Sequence, residues 1–150
     1  MRLAIGLLAL VLIYGSFPTI GKADQRIGQV KVASGDVVIL RGGTESPAKA
    51  GSALFEKDIV RTGENSAVGM TFTDNSRVSL GPDSELSLEA YAYSRPGRQN
   101  SFDARLKRGS LTATSGQIAK SRPLAMRVLM PTTVLGVKGT TLAARVGEGS

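Results

Sequence analysis

Apolar residues recur along most of this chain in short alternating or β-branched runs, at roughly 8–12-residue spacing, with Gly, Asn, Asp, Ser and Pro between them. Almost nothing has helical period, so the pattern predicts an all-β domain. The first runs are Gly28 to Val32 and Val37 to Leu40, parted by Ala33-Ser34-Gly35-Asp36. Arg41-Gly42-Gly43-Thr44 reads as a turn and Ser46 to Gly51 as a loop. Ile59 to Thr62 and Val68 to Thr73 are the next strands. Asp74-Asn75-Ser76 then marks a tight reversal before Val78 and Leu80, because Asp and Asn tolerate left-handed backbone. Glu85 to Tyr93 alternates again, with Leu86 and Leu88 on one face and Ser87 and Glu89 on the other. Ser94 to Ser101 holds no apolar residue and reads as an exposed loop. Phe102 to Leu106 follows, and Leu111, Ala113 and Ile118 continue the β pattern. Arg122-Pro123-Leu124 marks a turn ahead of Met126 to Met130.

Arg61 to Met70 can be laid on Ser79 to Leu88 at an offset of 18, which matches glycine, serine, an Asn/Asp turn and two inward apolar positions. A period near this length is what one coil of a β-solenoid produces, and two unrelated β-turns would produce the same match. Both readings stand at this point.

The N-terminus changes the picture of where the domain works. Arg2 precedes an apolar run from Leu3 to Tyr14, then Pro18 and Gly21-Lys22-Ala23, the layout of a secretory signal peptide with cleavage between Ala23 and Asp24. The run is shorter than the ~20 residues a membrane-spanning helix needs. Residues 1–23 are therefore expected to be removed, and residues 24–150 to form one domain in the periplasm. A chain of that size buries about two-thirds of its unfolded surface. With no cysteine, the chain offers neither a lipidation site nor a disulfide framework, so the expected product is not a lipoprotein. With no histidine, the commonest general base and metal ligand are missing, and no catalytic residue, metal or cofactor is assigned.

The formal charge of +7 is unevenly spread. Asp24 to Glu89 carries 7 basic and 10 acidic residues, and Ala90 to Ser150 carries 10 basic and 2 acidic. In an exported chain nucleic acid is not the expected partner. The basic half points to an acidic protein, an anionic polymer or lipid headgroups, with Arg95, Arg98, Arg105, Lys107 and Arg108 as the candidate surface. The alternative is that these cations solvate one face. Tyr91 and Tyr93 beside Arg95 and Arg98 could stack on an anionic or sugar ligand, or cover a sheet edge, as aromatic residues in strands commonly do. Asp83, Glu85 and Glu89 could form a carboxylate cluster for glycoside chemistry, since residues two apart on a strand share a face about 7 Å apart. The solvent face of a half-buried strand is the favoured reading, because no other polar group completes a site.

Gly136-Val137-Lys138-Gly139-Thr140 superficially suggests a phosphate-binding loop. It lacks the glycine five residues before a Gly-Lys pair and any helix signal after it. Its glycines are expected where a strand bends or another backbone approaches closely.

The order of these pieces resembles the FecR domain family, bacterial extracytoplasmic domains of regulators that sense transporter occupancy and control a sigma factor. The resemblance runs through Gly35-Asp36-Val37, Ala50 to Leu54, Asp58 to Gly63, Ser66-Ala67, Phe72 to Leu86, Leu106 to Leu111 and Met130 to Thr140. Gly63, Asp74, Gly81, Gly109, Gly136, Gly139 and Thr140 are its signature positions here. It implies an all-β fold of short strands, arranged as a solenoid or a twisted sandwich, and it implies no catalytic residue. Signalling members carry an anti-sigma segment and a membrane helix before this domain and a small domain after it. Here a cleavable signal stands in their place, so sigma-factor control is not carried over. What remains is a non-enzymatic binding or sensing module that docks on another envelope protein, with polymer or lipid binding as the alternative. An open sheet edge would also let two copies pair.

Overall fold

The computed structural model describes residues 25–94, 99–139 and 141–147. The elements in chain order are β1 (Arg26–Ser34), β2 (Val37–Arg41), β3 (Thr44–Pro47), β4 (Ala53–Phe55), β5 (Ile59–Thr62), β6 (Ala67–Phe72), β7 (Arg77–Leu80) and β8 (Glu85–Ala92). Then come β9 (Ser101–Thr114), α1 (Gln117–Ser121), β10 (Met126–Leu129), β11 (Val134–Gly136) and β12 (Thr141–Val146). The all-β expectation holds. Inward positions alternate along the strands: Val68, Met70 and Phe72 in β6 are buried, as are Val78 and Leu80 in β7. They join one core with Val30, Leu54, Leu86, Leu106 and Leu111.

The strands form a single 12-stranded sheet with the central order β3-β2-β5-β8-β9-β7-β6-β1-β4. β9 holds its two halves together. Its first part pairs antiparallel with β8 and parallel with β10, and its second part pairs antiparallel with β7 and β12. The sheet curls until its halves face one another. Phe72 of β6 meets Tyr91 of β8 at 5.9 Å between ring centroids and Phe102 of β9 at 4.6 Å.

The 18-residue similarity is structural and longer than the sequence suggests, covering 53–70 and 71–88. Leu54, Asp58, Val60, Thr62, Ser66, Val68 and Met70 are buried, and so are their counterparts Phe72, Ser76, Val78, Leu80, Ser84, Leu86 and Leu88. Left-handed backbone recurs in step, at Lys57 (φ 75) and Asn75 (φ 69), and at Asn65 (φ 53) and Asp83 (φ 51). The units do not stack as the parallel coils of a solenoid, however. β5 pairs antiparallel with β8 and β6 with β7, so each unit crosses from one half of the sheet to the other in the opposite direction.

The two crossings are matching arches, Gly63 to Ser66 and Gly81 to Ser84. Each clamps the residue that follows a left-handed glycine, Gly35 (φ 75) in one case and Gly109 (φ 89) in the other. In the first, Gly63 N–H donates to Asp36 O (2.9 Å) and Asp36 N–H donates to Ser66 Oγ (2.8 Å). In the second, Gly81 N–H donates to Ser110 O (3.1 Å) and Ser110 N–H donates to Ser84 Oγ (3.0 Å). Thr62 ties the arches together, donating from Oγ1 to Gly81 O (2.6 Å) and accepting there from Ser84 N–H (2.9 Å).

Ile118 departs from the expected β pattern, because it lies in α1. Gly116 supplies no capping side chain, and none of the neighbouring residues does so. The cap comes from Asp74, whose Oδ2 accepts Ile118 N–H at 3.1 Å across 44 residues of sequence.

Gly109 is the corner at which β9 passes between the halves, and a Cβ there would lie 2.5 Å from Ser84 Cα. Gly109→Ala is expected to lose about 3 kcal/mol or more, since left-handed strain and a backbone clash act together. Urea denaturation measures the loss. Gly139→Ala, with φ 72 but open space around it, should lose only the strain component, about 1 kcal/mol.

Candidate functional site

Of the five cations proposed from sequence, three lie among the described residues. Arg95 and Arg98 lie outside the described residues, as do Ala23, Asp24 and Thr140. Arg105 is engaged by Glu89, Nε to Oε1 at 3.0 Å. Lys107 and Arg108 are exposed on β9 as it approaches the corner. Sequence reasoning passed over Arg127, which lies beside Asp103 in the parallel β9–β10 pair and grips both its carboxylate oxygens at 2.9 and 2.7 Å. That hydrogen-bonded carboxylate pushes the Arg127 guanidinium pKa further up. The outer face of this half-sheet therefore carries cross-strand ion pairs between neighbouring strands, and Arg61–Glu85 at 3.2 Å continues the series.

The same pairs account for the carboxylates. Glu85 and Glu89 each hold an arginine, and Asp83 is the left-handed residue of the second arch, its N–H donating to Gly63 O at 3.0 Å. Glu85 and Glu89 thus lie on a strand's outer face, the favoured reading, whereas Asp83 lies in the turn before that strand. These ion pairs are half-exposed, and solvent-screened pairs contribute about 1 kcal/mol or less each.

The tyrosines stand at one end of the curled sheet, beside a cleft of about 550 Å³ that also exposes Arg26, Glu56, Lys57 and Thr73. Tyr91 closes the core there. Its ring packs on Phe72 and Phe102, the latter at 5.0 Å, and its hydroxyl meets Thr73 Oγ1 at 2.8 Å. It accepts Asp74 N–H at 3.0 Å and donates to Asp74 Oδ1 at 3.2 Å. Burial, more than the nearby Asp74 charge, raises the Tyr91 pKa well above the ordinary phenol value, and the Thr73 hydrogen bond only partly offsets it. Across the cleft, buried Asp58 takes Arg41 in a two-pronged contact, 2.8 and 2.7 Å, while the guanidinium lies 4.5 Å from the Phe55 ring centre.

Most of the family-signature positions are structural. Gly63, Gly81 and Gly109 build the arches and the corner. Asp74 is fully buried and accepts four hydrogen bonds on its carboxylate, from Ser76 N–H, Ser76 Oγ, Ile118 N–H and Tyr91 Oη. Gly136 ends β11, and a side chain there would run into the Leu124 side chain, with Cδ2 2.5 Å away. The close neighbour is therefore a side chain rather than the expected backbone. Gly139 has a left-handed φ of 72, and the next described element is a strand, β12, in line with the argument against a phosphate loop. Among the described residues no group of acidic side chains is arranged to hold a metal, and no helix is long and apolar enough to cross a membrane.

The family model described as FecR protein matches residues 58–150. No curated protein and no solved structure matches the chain.

Asp74→Asn replaces one acceptor oxygen with an amide in a site where every partner donates. It is expected to destabilise the fold by about 2–4 kcal/mol and to release α1, which denaturation and amide exchange at Ile118 would show. Tyr91 gives a pH signature of definite sign. Its pKa is raised on folding, so its contribution is intact below the unfolded phenol value of ~10 and is lost as pH climbs toward the folded value. The melting temperature should fall through this alkaline range, and Tyr91→Phe should flatten that part of the decline.

Proposed function

Because the chain belongs to the FecR family, we propose that it is a non-enzymatic periplasmic binding and sensing module that docks on another cell-envelope protein and takes part in signal transduction. The family match supports a sensing role in general terms. The observation that carries the docking mode is β12. Among the described residues it has one strand neighbour, β9, and its exposed and half-buried positions alternate from Thr141 to Val146. Such an edge offers a ladder of main-chain donors and acceptors to an extended segment of a partner, with side chains at alternate positions supplying selectivity. Strands β9 and β7 behind it belong to the core, so the edge is presented on a firm backing. Export with cleavage between Ala23 and Asp24 is part of this reading.

A second reading rests on charge. No acidic residue lies between Asp103 and Glu148, while Lys107, Arg108, Lys120, Arg122, Lys138 and Arg145 are exposed along that stretch. This favours an anionic envelope polymer or lipid headgroups.

Salt separates the two. A photocrosslinking residue at Ala143 in β12 should capture one envelope protein in place, with the yield little changed by high salt, whereas the same residue at Lys49, in the loop between β3 and β4, should capture none. Loss of the Ala143 product with rising salt would instead favour the charge-based reading, whose affinity falls steeply as counterions compete.

A further inference from the structure

We infer that the turn before β10 and the strand β11 form a point of insertion into an anionic phospholipid surface, with Leu124 and Val134 entering the interface and basic side chains seated on the headgroups. The inference deepens the lipid part of the second reading and does not depend on docking through β12.

Three large hydrophobic residues are exposed among those described: Val32, Leu124 at 65% and Val134 at 52%. The last two converge. Leu124 Cδ2 lies over Gly136, and Gly136 and Val134 face the same side of β11. Half-buried Leu129 pairs with Val134 on that side, so the three make one apolar patch. Leu124 is also held outward by its backbone, with φ 59, a conformation seldom taken by a leucine. Ala125 and Met126 immediately after it are buried, so Leu124 is the last exposed residue before the chain enters the core.

The rim selects the occupant. Exposed Lys120 and Arg122 lead into the turn, Arg127 pairs across from Gly136, and exposed Lys138 follows β11. Among the described residues, the carboxylates on the outer face of this half-sheet, Glu85, Glu89 and Asp103, are each held in an arginine pair. A protruding apolar tip ringed by cations suits a bilayer interface, where leucine and valine sit below the phosphates and lysine and arginine remain level with them. Strand addition is disfavoured here, because β11 spans three residues between Pro131 and Gly139. Its open backbone edge also limits entry to the wet headgroup layer, since unpaired peptide groups do not enter hydrocarbon.

The test is co-sedimentation of the chain, as recovered from the envelope, with vesicles of phosphatidylcholine alone and of phosphatidylcholine mixed equally with phosphatidylglycerol. Binding is expected only to the mixed vesicles. Leu124→Asn with Val134→Thr should weaken it on the order of tenfold. Asparagine accepts the left-handed turn, so the melting temperature should hold. Lys120→Gln with Lys138→Gln should weaken binding several-fold and reduce its salt dependence. The chain has no cysteine, so Leu124→Cys carries a unique environment-sensitive dye. Its emission should shift to the blue on mixed vesicles, while the dye at Thr112→Cys on the outer face of the other half-sheet should not respond.

If the double apolar variant binds as well as the parent while the lysine variant fails, headgroup attraction stands and insertion is overturned. Absence of binding by the parent overturns both. If the double apolar variant loses a crosslinked envelope protein and keeps its vesicles, the patch belongs to a protein partner, and the inference is likewise overturned.

Discussion

The fold depends on one strand passing between the two halves of the sheet. β9 is hydrogen-bonded into both halves of the curl, and a strand can serve both only if its backbone turns sharply in the middle without leaving polar groups unpaired. Gly109 supplies the left-handed turn, and Ser84 Oγ receives the N–H of Ser110 that the turn would otherwise leave unpaired. The arch that presents Ser84 is fixed by Thr62, whose hydroxyl spans to the second arch. A few interactions worth about 1 kcal/mol each are thereby made mutually dependent, and the core closes around them.

That arrangement explains which features were legible in the sequence. Strand positions with one face in the core, such as Val68 to Phe72 and Val78 to Leu80, announce themselves by alternation. β3 does not, because all four of its residues are exposed, and it reads as turn and loop. α1 is invisible for a different reason. It spans five residues, too few to show a helical period, and its cap is Asp74 from the β6–β7 turn. The offset of 18 was visible in the glycines and serines, yet its antiparallel use was not, since residue identities record burial and turn geometry but not strand direction. The charge of the C-terminal half was countable, whereas its partition into Glu89–Arg105 and Asp103–Arg127 pairs and exposed cations required the register of β8, β9 and β10.

The surface follows a division between balanced and unbalanced charge. Around the middle strands of the second half-sheet, arginine and carboxylate face each other across neighbouring strands, leaving little net field there. Among the described residues, the exposed cations outside these pairs lie toward α1, the β9 corner, the end of β11 and, at Arg145, on β12. Family membership makes a recognition role the natural frame for both the open edge of β12 and this basic margin. They meet at the β9 corner, where β12 pairs with Gly109 and Ser110, whereas the cations of α1 and the end of β11 lie on other elements.

The family match opens at Asp58, but the hydrogen bonding does not. β1 lies along β6, β2 lies along β5, and Arg41 neutralises the very carboxylate with which the match begins. Residues 26–57 are therefore part of the same cooperative unit. A fragment trimmed to the matched region would bare two core strands along their full length and leave Asp58 without its counter-charge, inviting self-association instead of an independently folding module.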